Sequence, residues 1–377
     1  MNVVVVTVAH MGDDARIVHR QARSLLEEGH HVTLIGPSPA GPRIDPPGLR
    51  RFVTPRAKGL RRLKSWRTAK SEVARLVRNN EVDLLLLHDI ELVAILLGEA
   101  RRVTTVWDVH EDFAASVSDR KYIWSPFHGI IRSLVLWIER RALKYCHIIL
   151  AESSYSDRLG DHPVIANSTW VPDHEPLQQF TDPLPRVVYV GRISKSRGAI
   201  ELIEIGGRLR GRVRLQLIGE PDSDVKSQIV AAHERGDIEF LGFLSNPKAL
   251  EVIQGALVGV SLLHEHPNFI GSLPTKILEY FAYSVPVITS ELPLAASLVQ
   301  RADGGFVVGF NELVEGAIES INLLLNNPKR QQLYSTSGHH FVREHYSWQH
   351  EGEKFVLLLE KWAHEGTVRR ELSLLRK

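Results

Sequence analysis

Ser272-Leu-Pro-Thr-Lys-Ile-Leu-Glu-Tyr280, followed by Ser284-Val-Pro-Val-Ile288, is the stretch that says most about the fold. Its pattern predicts a turn, a helix and a buried strand in succession. Backbone N–H groups at such a helix start, together with the positive end of the helix dipole, form an anion site. Lys276 adds a donor for phosphate, and Glu279 can accept hydrogen bonds from sugar hydroxyls. Phosphate and ribose bound by one helix predict a nucleotide ligand.

The same alternation of strands and helices continues through the rest of the chain. The first half has apolar runs at 3–8, 31–35, 82–87, 103–109 and 148–150, and the second half has them at 187–190, 213–218, 238–241, 257–263 and 285–288. Asp13 and Asp14 are candidate caps of the first helix, and Gly29 ends it. The pattern predicts an α/β protein with two doubly wound, Rossmann-like domains and an interdomain cleft at the carboxyl ends of both sheets.

A proline-rich stretch separates the two halves. Four prolines occur between Pro172 and Pro185 without sustained periodicity, which indicates a linker. We expect an N-terminal domain over 1–172, a linker over 173–185 and a C-terminal domain over 186–346. Residues 347–377 are expected to be helical, with packing back on the N-terminal domain as a hypothesis. A length of 377 residues suits two domains.

The composition is that of an ordinary soluble globular protein, with 44% hydrophobic and 24% charged residues and a net charge of +2. Cys146 is the single cysteine, so an intrachain disulfide is excluded and a reducing compartment fits. No apolar run reaches the roughly 20 residues that a membrane-spanning helix needs. A cytoplasmic location is therefore expected, with peripheral attachment to the cytosolic face of a membrane as a further hypothesis.

A second phosphate-binding candidate opens the C-terminal half. The strand at 187–190 is followed by Gly191-Arg192-Ile-Ser-Lys-Ser-Arg197-Gly198, which carries three cations. An arginine can bind two oxygens of a diphosphate at once. A solvated basic turn is the alternative, and the later Pro-Thr-Lys-x-x-Glu helix argues against it.

Together these motifs resemble a known family. The loop at 191–198, Leu241-Gly-Phe243, the helix at 274–280 and Pro286-Val-Ile are similar to the donor half of retaining glycosyltransferases of family four, which have the GT-B fold. The N-terminal half and the C-terminal end add weaker matches: Asp14-Ala-Arg16, His88-Asp89, Asp108-Val-His110-Glu111, Asn167 and Ser347-Trp348. Their order and spacing extend the resemblance over nearly the whole chain.

The resemblance implies a donor site in the C-terminal half. Arg192 and Arg197, next to Gly191, would bind the donor diphosphate, and Glu279 would bind the ribose. The base edge would meet backbone near Phe243 and Leu244. The distal phosphate and the transferred sugar would meet Gly271, Ser272, Leu273, Thr275 and Lys276. Many members of the family have a glutamate where this chain has Gly271, so recognition of the sugar hydroxyls must differ here.

The resemblance places the remaining chemistry in the N-terminal half. His110 resembles the family histidine beside the donor sugar, and Glu111 could position an acceptor hydroxyl or take its proton. A satisfied loop histidine is the alternative for His110. Asp89 is a candidate cap of the following helix as well as a site residue.

The function that follows is transfer of a sugar from a nucleotide diphosphate sugar to a hydroxyl acceptor, with retention of configuration. UDP is the default base. No cofactor and no metal are expected, because the resemblance assigns the diphosphate charge to cations and helix dipoles. The alternatives are a nucleotide-sugar epimerase and a catalytically silent binding module, which the missing glutamate at Gly271 makes plausible.

A basic stretch indicates a further partner. From Arg50 to Lys70 there are nine Lys or Arg residues and no acidic one, interleaved with Leu60, Leu63 and Trp66. This pattern suits an anionic lipid surface, which predicts a lipid-linked acceptor, and a solvated helix face is the alternative. The apolar stripe Phe127, Ile130, Ile131, Leu134, Val135, Ile138 is interpreted as a core-facing helix. Nucleic acid is not expected, because no recognition motif accompanies the basic patch.

Overall fold

A computed structural model describes residues 1–39, 44–56, 62–110, 128–173 and 184–375 of the chain. The chain forms two compact units. The first comprises Met1–Asn167 and His350–Lys377, and the second comprises Ser168–Gln349. Residues 174–183 of the predicted linker lie outside the described ranges. Among the helices that are described, none is both long enough and apolar enough to cross a bilayer.

The first unit is built on a parallel sheet with the strand order β3-β2-β1-β4-β5-β6. The strands are β1 Asn2–Val6, β2 His31–Pro37, β3 Arg50–Thr54, β4 Leu84–Leu87, β5 Thr104–Val109 and β6 His147–Leu150. Helix α1 begins as a π-helix over Ala15–Ala22 and continues as an α-helix over Arg23–Glu27. The next helices are α2 Arg62–Arg78, α3 Ile90–Ile95, α4 His128–Tyr145 and α5 Ser156–Leu159. Strands such as β4 are buried on both faces, which explains their continuous apolar sequence.

The second unit repeats this plan in the order β12-β11-β10-β7-β8-β9. Its strands are β7 Arg186–Val190, β8 Arg214–Ile218, β9 Glu239–Gly242, β10 Val258–Ser261, β11 Val287–Ser290 and β12 Gly305–Val308. Its helices are α6 Ala199–Arg208, α7 Lys226–Glu234, α8 Asn246–Ile253, α9 Pro267–Ile270, α10 Thr275–Ala282, α11 Pro293–Arg301, α12 Leu313–Asn326 and α13 Pro328–His345. Both sheets therefore have the doubly wound order of a Rossmann fold, and the predicted α/β class is confirmed.

The last helix, α14 Trp348–Leu375, belongs to the first unit from His350 onward. The Trp362 ring stacks on the His147 imidazole with ring centroids 4.4 Å apart. The Glu360 carboxylate lies 3.0 Å from Nε2 of His30. These contacts attach α14 to the residue just before β2 and to the first residue of β6.

Local signals in the sequence account for both ends of α1. The Asp14 carboxylate accepts hydrogen bonds from the backbone N–H groups of Arg16 and Ile17, at 2.9 and 3.1 Å, so the predicted cap is confirmed. Gly29 has φ +78° and ends the same helix as predicted. Strand β3 was not predicted, because Arg50 and Arg51 interrupt the apolar pattern on which strand prediction depends.

Two adjacent glycines in α6 provide a test of the packing in the second unit. A Cβ on Gly206 would lie 2.3 Å from the backbone oxygen of Asp237, whereas a Cβ on Gly207 would make contacts of 3.6 Å. We expect Gly206→Ala to destabilise the unit by about 1–3 kcal/mol through overpacking. Gly207→Ala should stabilise it by roughly 0.5–1 kcal/mol through helix propensity. Denaturant unfolding of both variants measures this, and equal effects would contradict the packing described.

Candidate active site

The polar residues of the first unit gather where three neighbouring strands end. Strands β1, β4 and β5 are adjacent and parallel, so the residues that follow them meet at one edge of the sheet. His10 follows β1, His88 and Asp89 follow β4, and Asp108 and His110 lie at the end of β5. These residues line or adjoin one cavity of about 240 Å³.

Asp108 is a buried carboxylate held by a buried guanidinium. Arg16 donates from Nε and Nη2 to the two Asp108 oxygens, both at 2.9 Å, and Gln21 donates to Oδ2 at 2.5 Å. Arg16 also donates to Oδ1 of Asn167 at 3.1 Å. Burial alone would raise the pKa of the Asp108 carboxyl, but Arg16 and the neighbouring imidazoles outweigh it and hold that pKa well below its usual range. Asp108 is therefore a permanent anion that orients its neighbours.

His110 is held on both ring nitrogens. Its Nε2 lies 2.7 Å from Nδ1 of His88, and the two rings stack with centroids 4.8 Å apart. Its Nδ1 lies 3.5 Å from Oδ2 of Asp108. Burial is the main cause that lowers the pKa of both imidazoles, to about 4 for His88. Two neutral imidazoles can share one hydrogen bond, so the pair fixes the orientation of His110 without a charge.

Asp89 closes the loop after β1. Its Oδ2 accepts hydrogen bonds from the Thr7 hydroxyl and from the backbone N–H groups of Val8 and Ala9, at 3.0, 2.6 and 3.1 Å. Its Oδ1 lies 3.3 Å from Nε2 of His10. Asp89 is the N-cap residue of α3, as expected, but its side chain makes no capping hydrogen bond to that helix. It positions His10 at the cavity wall instead.

The cavity wall is polar and carries both signs of charge. Arg62 contacts Glu91 at 3.2 Å, and burial together with Asp89 raises the pKa of the Glu91 carboxyl. Such a lining of carboxylates and imidazoles suits a ligand with several hydroxyl groups.

Tyr155 donates from its hydroxyl to the backbone oxygen of His110 at 3.0 Å, which holds the backbone of His110 after β5. Glu111, the other predicted catalytic residue of this half, lies outside the described residues.

His88, Asp108 and His110 also form a set of three potential metal ligands within 4.8 Å of one another. The Asp108 oxygens, however, already bind Arg16 and Gln21, and the two imidazoles already bind each other. A cation at this position would lie beside the Arg16 guanidinium. Most ligand atoms of this set therefore already have protein partners, whereas Nε2 of His88 is buried without a hydrogen-bond partner.

In the second unit, the loop after β7 passes very close to the loop after β8. Gly191 has φ +125° and Gly219 has φ +143°, and a Cβ on Gly219 would lie 1.9 Å from the Gly191 oxygen. Only glycine allows this crossing. The β7 loop also receives a hydrogen bond from His264 N–H to the Ser196 oxygen, at 2.9 Å. The loops after β7, β8 and β10 are thereby fixed at one edge of the sheet.

The two predicted diphosphate arginines of this loop differ in their surroundings. The Arg192 guanidinium binds both oxygens of Asp222, at 2.7 and 2.9 Å, and its side chain is 67% exposed. Arg197 lies over the Phe269 ring, with its guanidinium carbon 5.1 Å from the ring centroid. Asp222 is the first carboxylate of Asp222-Ser-Asp224, and its pairing with Arg192 gives it a structural role.

Lys276 and Glu279 are both buried on α10, with 6% and 7% exposure. The Lys276 amine nitrogen lies 3.8 Å from the centroid of the Tyr189 ring and 3.5 Å from the position that a Cβ on Gly191 would take. The Glu279 carboxylate accepts a hydrogen bond from the Asn246 side chain at 3.0 Å. The structure thus brings Gly191, Lys276 and Glu279 together.

The other predicted donor residues lie in the loops on either side. Phe243 and Leu244 are half-buried between β9 and α8, two to three residues before Asn246, which contacts Glu279. Leu273 and Thr275 are half-buried at the start of α10, and two further residues of that turn are exposed: Gly271 and Ser272. A Cβ on Gly271 would meet nothing within 4 Å, so the position of the missing glutamate is open.

Several residues of both sites were not predicted from the sequence. Asn246 comes two residues after Leu244, one of the predicted base-contacting residues, so its position in the sequence could have identified it as a site residue. Gln21 and Tyr189 gave no such signal, because each reads as an ordinary member of a helix or strand. Tyr280 is fully buried, and its hydroxyl accepts a hydrogen bond from the Val190 N–H at 3.0 Å, which joins α10 to the end of β7.

Comparison with known proteins relates both units to enzymes that transfer sugars. Residues 15–159 match the family described as Glycosyltransferase Family 4, and residues 174–340 match the family described as Glycosyl transferases group 1. The chain is 26% identical over 259 residues to the alpha-maltose-1-phosphate synthase of Mycolicibacterium smegmatis. That match covers 60% of this chain and 66% of the length of that relative.

Solved structures share the fold over nearly the whole chain. Sucrose-phosphate synthase from Thermosynechococcus elongatus has a TM-score of 0.72 at 17% identity, covering 96% of this chain and 98% of that one. WaaG, a glycosyltransferase involved in lipopolysaccharide biosynthesis, has 0.69 at 14%, covering 95% and 99%. HepE of Anabaena, solved in complex with UDP-glucose, has 0.66 at 14%, covering 96% and 100%.

The buried pair in the first unit gives a stability test. We expect Arg16→Met to destabilise that unit by about 3–5 kcal/mol, because the Asp108 carboxylate would stay buried without its partner. Arg16→Met combined with Asp108→Asn should recover much of this loss, since the unpaired charge is then gone. Denaturant unfolding followed by tryptophan fluorescence measures both.

Arg23→Met is the matched control, because Arg23 is 45% exposed and pairs with Glu27 on the surface of α1. It should cost less than about 1 kcal/mol. Similar losses in Arg16→Met and Arg23→Met would contradict the role given to the buried pair.

Proposed function

We propose, from the premise that this chain belongs to the group 1 glycosyltransferases and resembles family 4, that it moves a sugar from a nucleotide diphosphate donor to a hydroxyl acceptor. The chain is a glycosyltransferase of that group. The proposal concerns its donor, its acceptor, its stereochemistry and its location.

The donor is proposed to bind the second unit. The observation that carries this is the buried Lys276 amine beside the β7 loop, at the start of α10, with the Glu279 carboxylate one turn away. Phosphate oxygens would meet Lys276, Arg197 and the N–H groups at the helix start. Arg192 would add a third cation by exchanging Asp222 for a phosphate oxygen. Glu279, oriented by Asn246, would accept hydrogen bonds from the ribose hydroxyls.

UDP is the proposed nucleotide, and a UDP-sugar the proposed donor. The support is the similarity of fold to HepE, which was solved with UDP and with UDP-glucose. Phe243 and Leu244 would contact the base, and the turn at Gly271, Ser272, Leu273 and Thr275 would contact the distal phosphate and the sugar. Because Gly271 lacks a carboxylate, sugar hydroxyls must be bound by backbone groups or by water at that position.

The acceptor is proposed to bind the cavity of the first unit. Its lining by His10, Asp89, Glu91 and His110 suits the hydroxyl groups of a sugar-containing acceptor. His110, fixed by His88 and Asp108, would contact the transferred sugar, and Glu111 would contact the acceptor hydroxyl. We propose retention of configuration without a metal, with cations and the α10 dipole stabilising the leaving diphosphate.

Two alternative functions make different products. A nucleotide-sugar epimerase would yield an altered nucleotide sugar without an acceptor. A silent binding module would bind the donor and give no turnover. This alternative is considered because Gly271 stands where a glutamate is expected and its position is open. The family match favours neither. Product analysis separates the three, since only the transferase releases nucleoside diphosphate in proportion to a glycosylated acceptor.

A peripheral membrane location is proposed from the helical surface of the first unit. In α4, Val135 and Ile138 are buried, as expected for a core-facing stripe, but Leu134 and Trp137 are 54% and 44% exposed. Arg132, Arg140 and Lys144 are exposed on the same helix, and the Arg141 guanidinium lies over the Trp137 ring, 5.0 Å from its centroid. The one acidic residue of this helix, Glu139, is buried and paired with Arg158.

On α2, the described apolar residues of the basic stretch differ in their exposure. Trp66 packs partly into the core, and Leu63 is 45% exposed. Lys64, Arg67 and Lys70 are exposed on α2, which, like α4, packs against α3. We propose that α2 and α4 contact the anionic cytosolic leaflet, where a lipid-linked acceptor of cell-surface glycan synthesis would be found.

A nucleotide panel tests the donor proposal. A ligand at about 100 times its dissociation constant stabilises by about 2.7 kcal/mol, so UDP should raise the melting temperature more than GDP, ADP or dTDP. Arg197→Ala and Glu279→Gln should reduce the UDP shift, because each removes a proposed contact. Arg208→Ala, an exposed arginine of α6, should keep it. A panel in which no nucleotide shifts the transition would contradict the proposal.

Vesicle binding tests the membrane proposal. Trp137→Ala should weaken binding to vesicles with phosphatidylglycerol about tenfold, because a partly exposed tryptophan loses its burial in the interface. Leu357→Ala, at a site 58% exposed on α14, should leave binding unchanged. Co-sedimentation measures both. Wild-type protein that stays in the supernatant at low salt would remove the proposal.

A further inference from the structure

The amine of Lys276 is buried without a hydrogen-bond acceptor. Its residue is 6% exposed, and among the described residues its Nζ has no hydrogen-bond partner and no carboxylate within ion-pair distance. It lies over the face of the Tyr189 ring, 3.8 Å from the ring centroid. A buried ammonium normally has oxygens around it, because an unpaired charge in the interior is costly. The position therefore suits an acceptor that the described part of the chain does not supply.

The charges around this amine come from each element that surrounds it. Arg197, in the loop after β7, is a cation, and Glu279, one turn along α10, is a carboxylate that binds Asn246. The hydroxyl of Tyr189 on β7 donates to the Arg192 backbone, and that of Tyr280 on α10 binds the end of β7. Burial first, and then Arg197, lower the pKa of the Lys276 amine well below its usual value, against the opposing effect of Glu279.

A bound diphosphate would reverse this balance. A phosphate oxygen within hydrogen-bond distance of Nζ supplies both an acceptor and a negative charge, which favour the protonated amine. We propose that Lys276 is neutral in the free protein and takes up one proton from solvent when the donor diphosphate binds, so that donor binding and protonation of this amine are one coupled step. The inference rests on the proposed donor site in the second unit and adds the uptake of one proton to donor binding.

The coupling gives donor affinity a defined pH dependence. Under this proposal the pKa of the Lys276 amine, which burial lowers in the free protein, rises when the diphosphate binds, so between the two pKa values the complex holds one more proton. In that interval the dissociation constant for a diphosphate rises about tenfold for each pH unit. Below the pKa of the free protein the amine is already protonated, and proton uptake disappears.

Calorimetric titration measures the proton directly. UDP is titrated into the full chain at pH 8.5 in pairs of buffers with different ionisation enthalpies, and the dependence of the observed heat on buffer gives the number of protons taken up. At this pH the terminal phosphate of free UDP, with a second pKa of about 6, is already ionised and does not interfere. We expect the wild-type protein to take up close to one proton, and less as the pH is lowered.

Lys276→Met keeps the length of the side chain and removes the amine. This variant should take up no proton and bind UDP about 10- to 100-fold more weakly, because a charge-assisted hydrogen bond is lost. Its melting temperature without ligand should equal or exceed that of the wild type, since an unsatisfied buried amine has been replaced by an apolar group. Lys329→Met, at an exposed lysine in the first turn of α13, should behave as the wild type.

The outcomes separate this inference from the proposed function. UDP binding without proton uptake at any pH from 6.5 to 9.5 would overturn the coupling and leave the donor site standing. Equal proton uptake by the wild type and Lys276→Met would assign the proton to another group and also overturn it. If neither UDP, GDP, ADP, dTDP nor inorganic pyrophosphate binds, the donor proposal fails and the coupling fails with it.

Discussion

Parallel pairing of every strand is the constraint on which both units depend. In a parallel sheet all strands end at the same edge, so the residues that follow each strand gather there whatever their distance along the chain. His10, Asp89 and Asp108 come from three such strand ends of the first unit, and Gly191, Gly219 and Ser196 mark the corresponding edge of the second. The strands themselves are apolar because helices cover both faces, which leaves the strand ends as the place for polar chemistry.

The two edges handle charge in opposite ways. In the first unit the buried anion Asp108 is fully bound by Arg16 and Gln21, and the imidazoles next to it are neutral. In the second unit the buried amine of Lys276 lies over the Tyr189 ring and has no hydrogen-bond partner among the residues that the structure describes. A buried carboxylate with its partners in place orients its neighbours, whereas a buried amine without a hydrogen-bond partner favours a ligand that supplies one. This contrast supports the proposal that the donor binds the second unit.

Local sequence signals predicted those features that depend on a few neighbouring residues. Continuous apolar runs predicted most strands to within about two residues, Asp14 and Gly29 predicted the ends of α1, and the Pro-Thr-Lys-x-x-Glu segment predicted α10. Strand β3 was not predicted, because it is an edge strand, with one side facing solvent, in which charged residues interrupt the apolar pattern. The order and spacing of the motifs were sufficient for the family resemblance.

The sequence by itself determined that this protein has two doubly wound α/β halves and carries the residues of a sugar-transfer enzyme, because periodicity and motif spacing are properties of the chain alone. The tertiary structure decided which of those residues are paired. It gave Arg192 an Asp222 partner and directed the Asp89 side chain to the loop after β1 and to His10. It also buried part of Trp66 and left the Lys276 amine without an acceptor among the described residues. Burial and pairing depend on residues far apart in sequence, and only the folded chain brings them within contact distance.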